Sequence, residues 1–429
     1  MNPRYNLKGL SHVEMHFVDL SGRLRAIDIT PKRYIESLTE GKVFDGSSLR
    51  MAPIEKSDLI LKPIPSTFFR LPWNQRAARV LCDIFTTDGS MRECKVSPRF
   101  ILKKQLDEAK KEGFKFFTAV ENEFFILNDG KLIDESGYFS PTPFDRTKNL
   151  RQKVFEILTE CAKIEVEYMH HEVSSGQGEV TLKFEDALKM ADNKIAFGFL
   201  AQNLAFADGK IMTLMPKLKA GMNGSGMHIH MSLFDSRRRN LFYSKDGDFK
   251  ISKMARNFIG GIFEHYRALT GLAAPTINSR KRLVPGYEAP VNKAWGPKNR
   301  SALIRIPPFS SEKSARIEFR VSDSTSNPYL LFAALLAAGL EGIEKGLNPG
   351  EPCLENTYES SGWETIPERQ EEIIEELRRD KLIGNVLGKE ALSKYVEILK
   401  KELKEFSAVN KKWDPLVITD WEKKRYLQL

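Results

Sequence analysis

A predicted strand from Phe114 to Leu127 contains the segment Val120-Glu121-Asn122-Glu123-Phe124. Side chains alternate between the two faces of a strand, so Glu121 and Glu123 share one face of a segment that is otherwise mostly apolar. Two adjacent carboxylates in a half-buried strand repel each other and lose hydration, and a cation between them relieves both penalties. The segment therefore predicts a cation site on a sheet, with a solvated strand face as the alternative.

A second carboxylate pair lies in the segment from His170 to Glu179. Glu172 and Glu179 flank a Gly-rich turn that would fold them towards each other. A further predicted strand places His228 and His230 on one face between methionines. Each histidine alone is more often a hydrogen-bonded structural residue than a ligand. However, four of the seven histidines in the chain fall within these two segments, which favours a shared site.

The segment 316–321 alternates Arg316, Glu318 and Arg320 with apolar residues, so one face packs and the other is charged. Carboxylate-rich sites without thiolates favour hard divalent cations such as Mg²⁺ or Mn²⁺. Such ions, together with arginines that neutralise transferred charge, are the usual machinery of phosphoryl transfer. No GxxxxGK[ST], GxGxxG or GxSxG motif is present, which argues against a P-loop NTPase, a dinucleotide-binding fold and a nucleophile elbow.

The length of 429 residues predicts two domains. Alternating segments from Ser11 to about Ser97 indicate a small β-rich domain, residues 1–97. Helical and strand patterns then mix from residue 98 to 429, which predicts a large α+β domain. Within it we expect helices at 99–111 and 150–161, a buried helix after Pro328 and a charged helical tail from 369 to 408.

The composition, 41% hydrophobic and 29% charged residues, is that of an ordinary globular protein. The segment from Met1 to Gly9 is polar, the longest apolar run is too short to cross a bilayer, and the four cysteines are far apart. These features predict a cytoplasmic protein with reduced thiols and no membrane contact. The net charge of +9 is spread along the chain without interleaved aromatic residues, which favours a solvated surface over nucleic-acid binding.

Several motifs in this order and spacing resemble type I glutamine synthetase over nearly the whole chain. They include Phe44-Asp45-Gly46-Ser47-Ser48, Glu121-Asn122-Glu123, His171-Glu172-Val173, Asn223-Gly224-Ser225-Gly226-Met227-His228, Lys281 to Pro290, Asn299-Arg300-Ser301 and Arg316 to Arg320. The resemblance implies an N-terminal β-grasp domain and a catalytic domain in which a curved antiparallel sheet, a half-barrel, is backed by helices. It also implies ATP-dependent ligation of glutamate and ammonia through γ-glutamyl phosphate.

The resemblance further implies a role for each matched residue. One ion would be held by Glu123, Glu172 and Glu179, and another by Glu121, His228 and Glu318, with two or three Mg²⁺ or Mn²⁺ ions per active site. ATP would contact Glu167, His230, Ser232, Arg300, Arg305, Lys313 and Arg316. Glutamate would contact Asn223, Gly224, Arg282, Glu288 and Arg320, with Glu288 also in the flap that shields γ-glutamyl phosphate from water.

The resemblance also implies that ammonia, the acceptor, binds between two subunits. Asp45 and Ser48 would reach the neighbouring subunit and form an ammonium pocket with its Tyr138 and Glu172, where Asp45 accepts a proton. Deprotonation is required because ammonium has no lone pair for the attack on an acyl phosphate. The implied assembly is a dodecamer of two hexameric rings, and a PII-type regulator is a candidate partner.

Four departures from the family pattern stand out in the sequence. The segment from Leu49 to Pro53 is one residue shorter and lacks the usual Gly-aromatic continuation, which bears on ammonia selectivity and feedback. Asn122 and Gly178 replace more usual residues between the matched glutamates, and the run from Val321 to Ser324 replaces Phe-Pro-Asp-Pro. The surroundings of Tyr358 match an adenylylation site poorly, so we predict no adenylylation.

Two alternatives to an ammonia-dependent ligase remain. A paralogue would ligate glutamate to a polyamine or alkylamine, although retention of Asp45, Ser48, Tyr138 and Glu172 favours ammonia. A catalytically silent assembly is the other alternative, and an inactive descendant has no chemical reason to keep all the matched glutamates and arginines.

Overall fold

The computed structural model describes residues 7–88, 92–410 and 412–428. Most of the polar segment from Met1 to Gly9 lies outside the described residues. The N-terminal part forms a six-stranded sheet in the order β2-β1-β6-β4-β3, with β5 paired to β6. Alternating apolar residues of β1, such as Val13, Met15 and Phe17, are buried beneath it. The elements are β1 His12–Val18, β2 Leu24–Ile29, α1 Pro31–Glu40, β3 Lys42–Asp45, β4 Asp58–Pro63, β5 Phe69–Leu71 and β6 Asn74–Thr86.

The larger C-terminal part is built on a nine-stranded curved sheet in the order β13-β14-β15-β12-β7-β10-β9, with β8 and β11 also paired to β7. All pairs are antiparallel except β13 with β14, which is parallel, a detail that the expected antiparallel sheet did not include. The strands are β7 Lys115–Asn128, β8 Lys131–Leu132, β9 Val166–His171, β10 Gln177–Asp186, β11 Ile211–Thr213, β12 Met227–Phe234, β13 Asn292–Pro297, β14 Ala302–Ile306 and β15 Ile317–Phe319.

Helices cover the side of the sheet that faces away from the charged residues. The apolar helix α8 begins at Pro328, where Asn327 caps the Tyr329 amide, and ends at Lys345, with Gly346 as its C-cap. Helix α5 approaches it so closely that a Cβ on Gly261 would lie 1.9 Å from the Ala338 carbonyl oxygen. The helices are α2 Pro98–Lys111, α3 Lys148–Glu160, α4 Ala187–Ala207, α5 Lys253–Glu264, α6 Tyr266–Ala273, α7 Ile277–Arg282, α8 Pro328–Lys345, α9 Gln370–Arg379, α10 Lys381–Leu387, α11 Lys389–Val409 and α12 Asp420–Tyr426.

The predicted α+β architecture is confirmed: a small β-rich N-terminal part precedes a larger part in which helices back a half-barrel sheet. The predicted domain boundary between residues 97 and 98 lies in the connection from β6 to α2 and stays a prediction. Polar contacts join the two parts, because Arg99 at the start of α2 binds Asp83 of β6 at 2.6 Å and Asp192 of α4 at 2.9 Å. Within the described residues, no helix combines the length and apolar character that a bilayer crossing needs.

The C-terminal helix is attached to the larger part by a buried ion pair. Lys281 Nζ lies 2.6 Å from Glu422 Oε2, and both side chains are at most 1% exposed. We predict that Glu422→Gln lowers the free energy of unfolding by about 3–5 kcal/mol, because it leaves the lysine charge buried without a counter-charge. Denaturant titration measures this loss. Asp208→Asn, which removes the partner of the half-exposed Lys153, serves as the control and should cost less than about 1 kcal/mol.

Candidate active site

Strand register brings the carboxylates of the sequence motifs onto one face of the curved sheet. Glu121 of β7 lies opposite His228 of β12 on one side and opposite Thr181 of β10 on the other. Two residues further along β7, Glu123 lies opposite Glu179 of β10. Directly opposed residues of antiparallel strands have Cβ atoms about 4.5–5.5 Å apart, so their carboxylates share one small volume. The Gly-rich turn before β10 returns Glu172 to the same face, as predicted.

Glu121 is held by two imidazoles. His228 Nδ1 lies 2.9 Å from Glu121 Oε2, and His230 Nε2 lies 2.7 Å from Glu121 Oε1. Burial acts to raise the pKa of Glu121, but the two histidines outweigh it and hold this pKa well below its ordinary value. Burial, together with the nearby Arg320, lowers the pKa of His228 to about 4. His228 is therefore neutral at physiological pH, the state in which an imidazole can bind a metal ion.

The contacts of His230 fix its tautomer. Arg316 Nε lies 3.2 Å from His230 Nδ1, and a guanidinium nitrogen can only donate. His230 Nδ1 therefore accepts, and the ring proton sits on Nε2 and is donated to Glu121. An imidazole nitrogen that carries a proton has no lone pair for an ion, so His228 is the better candidate ligand even though both rings face the same carboxylate.

The second half of the site contains carboxylates without an arginine or lysine partner within ion-pair distance among the described residues. Burial raises the pKa of Glu123 to about 7, with the charge of Glu172 adding to it. Burial and the charge of Glu179 raise the pKa of Glu172 to about 7. His170 faces this group, with Nε2 at 3.5 Å from Glu179 Oε1 and Nδ1 at 3.7 Å from Glu172 Oε1. These carboxylates are costly to ionise together unless positive charge is supplied.

The donor set fits divalent metal ions. Ligand atoms of Glu121, His230 and Glu318 lie within 4.8 Å of one another, and so do those of His170, Glu172 and Glu179. Both groups offer carboxylate oxygens and imidazole nitrogens without thiolates, the donors of Mg²⁺ or Mn²⁺ sites. Four of the six predicted ligands, Glu121, Glu172, Glu179 and Glu318, belong to these groups, together with His170 and His230. The other two lie near each other, with His228 Nε2 3.8 Å from Glu123 Oε1. The ligand assignment stays a prediction.

Arginines surround the carboxylates in the same cavity, which has a volume of about 590 Å³. Arg305 and Arg320 each place a guanidinium nitrogen 2.5 Å from a different oxygen of Glu318. Burial acts to raise the pKa of Glu318, but the charge of Arg320 outweighs it and holds this pKa at about 2. Arg300 lines the cavity near its mouth. The cavity therefore combines ion-binding carboxylates with a set of cations suited to phosphate groups.

The flap and the matched glutamate-binding residues close another side of the cavity. Asn223, Gly224, Arg282, Glu288 and Arg320 all line it. Gly224 is packed tightly, since a Cβ at this position would lie 2.3 Å from the Pro216 carbonyl oxygen. Tyr287 of the flap covers Lys217, whose Nζ lies 3.8 Å from the centre of the tyrosine ring. Arg320 also donates to the Glu288 carbonyl oxygen at 3.2 Å.

Not every matched residue lines the cavity of this single chain. Glu167 and Lys313 are exposed outside it, and the Ser232 hydroxyl donates to the Ala315 carbonyl at 2.8 Å. Tyr138 lines the cavity, whereas Asp45 and Ser48 lie on the N-terminal domain and do not. In that exposed loop, Asp45 Oδ1 accepts from the Ser47 hydroxyl at 2.6 Å, and Asp45 Oδ2 accepts from the Ser48 hydroxyl at 2.5 Å.

Residues 9–87 match the family described as "Glutamine synthetase, beta-Grasp domain", and residues 95–417 match "Glutamine synthetase, catalytic domain". The glutamine synthetase of Thermotoga maritima is 40% identical over 97% of this chain and 96% of its own length. The chain belongs to the glutamine synthetase family. The glutamine synthetase of Pyrococcus furiosus is 38% identical over 98% of this chain and 97% of its own. The predicted family is thus confirmed.

Two solved structures of GmaS, one without ligand and one in complex with ADP, share the fold of this family member. Their TM-scores are 0.86 and 0.87, each with 27% sequence identity over 98% of both chains. Tyr358, for which the sequence predicts no adenylylation, donates its hydroxyl hydrogen to the Ala289 carbonyl at 2.9 Å. That prediction remains open.

Several cavity residues were missing from the predicted site, and three of them contact its polar groups. His170 was visible in the sequence beside His171, but its placement among carboxylates depends on the register of β9 with β10. Buried Gln177 donates to the Gly224 carbonyl at 3.0 Å. Tyr168 donates to Glu121 at 2.9 Å. Strand alternation in the sequence could have identified two of these residues, because Tyr168 and His170 share one face of β9.

We predict that Glu172→Gln stabilises the ion-free protein at pH 8 and weakens its response to Mn²⁺. Because the pKa of Glu172 is raised in the folded state, the folded protein binds more protons than the unfolded chain between the ordinary glutamate pKa and about pH 7. Stability conferred by the protonated form is therefore lost as the pH rises through this window. The glutamine side chain cannot ionise, so the variant escapes this loss.

Thermal melts at pH 8, with EDTA and with Mn²⁺, measure both effects. The variant should melt above wild type in EDTA and gain less stability from Mn²⁺. Glu156→Gln, a change at an exposed position of α3, is the control and should leave both quantities unchanged. A lower melting temperature for Glu172→Gln in EDTA would contradict the electrostatic argument.

Proposed function

We propose that this chain ligates glutamate and ammonia to glutamine, using ATP to form γ-glutamyl phosphate and releasing ADP and phosphate. The observation that carries this proposal is the cavity in which four glutamates that could bind ions face Arg300, Arg305, Arg316 and Arg320, with Glu318 buried against two of these arginines. The four glutamates are Glu121, Glu123, Glu172 and Glu179. The identity of 40% to a glutamine synthetase over nearly the whole length supports the same enzyme class.

The carboxylate groups would hold the divalent ions. Glu123, Glu172 and Glu179, with His170 beside them, would hold one ion, and Glu121, His228 and Glu318 another. When bound, the ions neutralise phosphate charge and align the γ-phosphate with the glutamate carboxylate. Arg300 and Arg305 stabilise the negative charge of the transferring group. Arg316 and His230 line the adjoining wall, and we assign them, with Glu167, Ser232 and Lys313, to the nucleotide.

Glutamate binding is assigned to the side of the cavity that carries the flap. Arg282 and Arg320 are almost fully buried and supply fixed positive charge for the substrate carboxylates. Asn223 and Gly224 form the adjoining backbone wall. Glu288, exposed in the flap at the cavity edge, closes over γ-glutamyl phosphate and restricts the access of water to it.

Asp45 is assigned to the ammonium pocket of a neighbouring subunit, opposite that subunit's Tyr138 and Glu172. Hydrogen bonds from Ser47 and Ser48 hold the pKa of Asp45 at about 2. The carboxylate is therefore ionised at every physiological pH and attracts ammonium, and its two serines keep it oriented. Asp45 accepts a proton from ammonium, which frees the nitrogen lone pair for attack on the acyl carbon of γ-glutamyl phosphate. The C–N bond forms as phosphate leaves.

A γ-glutamyl-amine ligase is the second candidate function. It is favoured by the fold likeness to GmaS, a γ-glutamylmethylamide synthetase. The exposed Phe139 ring, stacked on Tyr138 at 3.9 Å between centroids beside the proposed acceptor pocket, offers an apolar surface for an alkyl group. The higher identity to glutamine synthetases and the retained Asp45 and Ser48 support ammonia. A catalytically silent assembly is disfavoured because Glu123, Glu172 and Glu179 have no arginine or lysine at ion-pair distance among the described residues. Keeping these carboxylates buried without ions lowers the stability of the protein.

The proposed active site requires a homo-oligomer, since Asp45 lies outside the cavity of its own chain. We propose the dodecamer of two hexameric rings, acting in the cytoplasm without nucleic-acid or membrane contacts. A PII-type protein is the proposed regulatory partner.

Phosphate release from ATP and glutamate with Mg²⁺ tests the activity directly. We predict release that depends on ammonia and is faster with ammonia than with methylamine, an alkylamine panel or a polyamine at equal concentration. Turnover with amines only would establish the second candidate function. No turnover with any acceptor, in an assembled protein that binds Mn²⁺, would contradict a ligase.

Asp45→Ala should abolish ammonia-dependent turnover while leaving ATP affinity within about twofold of wild type, because the residue lies outside the ion and phosphate cavity. Isothermal titration with ATP and Mg²⁺ measures the affinity, and steady-state phosphate release measures turnover. Asp58→Ala, a change at a solvent-exposed residue opposite Asp45 in the sheet, is the matched control. A parallel loss of ATP binding in Asp45→Ala would contradict the assigned role.

A further inference from the structure

Tyr168 reaches a carboxylate that lies two strands away from it. It belongs to β9 and pairs with Thr181 of β10, which in turn pairs with Glu121 of β7. The small threonine between them leaves room for the tyrosine side chain to extend over the sheet. The Tyr168 hydroxyl donates to Glu121 Oε1 at 2.9 Å, and its ring stacks on His170 with centroids 5.8 Å apart and an interplanar angle of 12°.

The two oxygens of Glu121 have different surroundings. Oε1 accepts from Tyr168 at 2.9 Å and from the protonated Nε2 of His230 at 2.7 Å, which engages both of its lone pairs. Oε2 faces His228 Nδ1 at 2.9 Å, and the same nitrogen lies 3.7 Å from Glu318 Oε1. Ligands bound to one ion at about 2.1 Å lie about 3.0–3.5 Å apart. Oε2 therefore faces the space where an ion would sit, and Oε1 is turned away from it.

We propose that Tyr168 is a positioning residue that orients the Glu121 carboxylate so that only Oε2 binds the ion shared with His228 and Glu318. The inference rests on the proposed role of Glu121 as an ion ligand. Partners that orient metal-binding carboxylates from behind contribute about 10–100-fold to metal affinity. Tyr168 occupies such a position, since its hydroxyl hydrogen bonds the ligand on the oxygen opposite the ion.

Tyr168→Phe tests this role because it removes the hydroxyl and keeps the ring that stacks on His170. Free Mn²⁺ is measured by electron paramagnetic resonance during titration of the ion-free enzyme without nucleotide. We expect one class of Mn²⁺ site to lose affinity about tenfold, while the class that contains Glu123, Glu172 and Glu179 is unchanged. The Mn²⁺ concentration for half-maximal turnover should rise, with the maximal rate recovered at high Mn²⁺.

Two further variants separate the hydroxyl from general packing. Tyr138→Phe deletes the same atom in the same cavity, where no hydrogen bond joins Tyr138 to a glutamate among the described residues, and should bind Mn²⁺ like wild type. Tyr168→Ala should lose at least as much Mn²⁺ affinity as Tyr168→Phe. Melting temperatures in EDTA establish that each variant folds.

Wild-type affinity at both classes of site in Tyr168→Phe would overturn the proposal. A variant with unchanged Mn²⁺ affinity and a raised KM for ATP would also overturn it, because Tyr168 would then be a nucleotide contact. An equal loss of affinity at both classes would also overturn it, because it would indicate a general disturbance of the cavity. Failure of the proposed function is distinguishable, since it would appear as absent turnover in the wild-type enzyme.

Discussion

The mutual repulsion of five neighbouring carboxylates, four that line the cavity and Glu318 buried beside them, is the constraint to which the rest of the site responds. The cavity divides into two halves with different charge balance. Glu121 and Glu318 are paired with two histidines, Arg305 and Arg320, and their pKa values lie well below the ordinary range. Glu123, Glu172 and Glu179 have no arginine or lysine at ion-pair distance among the described residues, and their pKa values are raised. One half is therefore balanced by the protein itself, whereas the other has only His170 beside Glu172 and Glu179 and needs further positive charge.

This asymmetry links folding to function. The sheet register that places Glu123 opposite Glu179 lowers the stability of the ion-free protein. Binding of cations to the folded state offsets this loss. The balanced half supplies fixed geometry: Arg316 sets the tautomer of His230, and His230 and Tyr168 together set the orientation of Glu121. Binding energy from ions and nucleotide is thus available to order the unbalanced half and the flap around the substrates.

Strand alternation and motif spacing in the sequence predicted the α+β fold, the two parts of the chain and the carboxylates that share one sheet face. Other features depend on which strands become neighbours, and local sequence does not contain that information. Tyr168 contacts Glu121 only because β10 lies between β9 and β7 with Thr181 in register. The parallel pairing of β13 with β14 and the position of His170 have the same origin. The separation of Asp45 from the cavity of its own chain likewise arises from tertiary structure, because its loop lies on the N-terminal domain.

Crystals of the enzyme grown with Mn²⁺ and measured at the manganese absorption edge test the central claim most directly. Our account predicts one anomalous peak within bonding distance of Glu121, His228 and Glu318, and a second within bonding distance of Glu123, Glu172 and Glu179. Anomalous peaks bound by other residues, or an empty cavity at Mn²⁺ concentrations that support turnover, would contradict it.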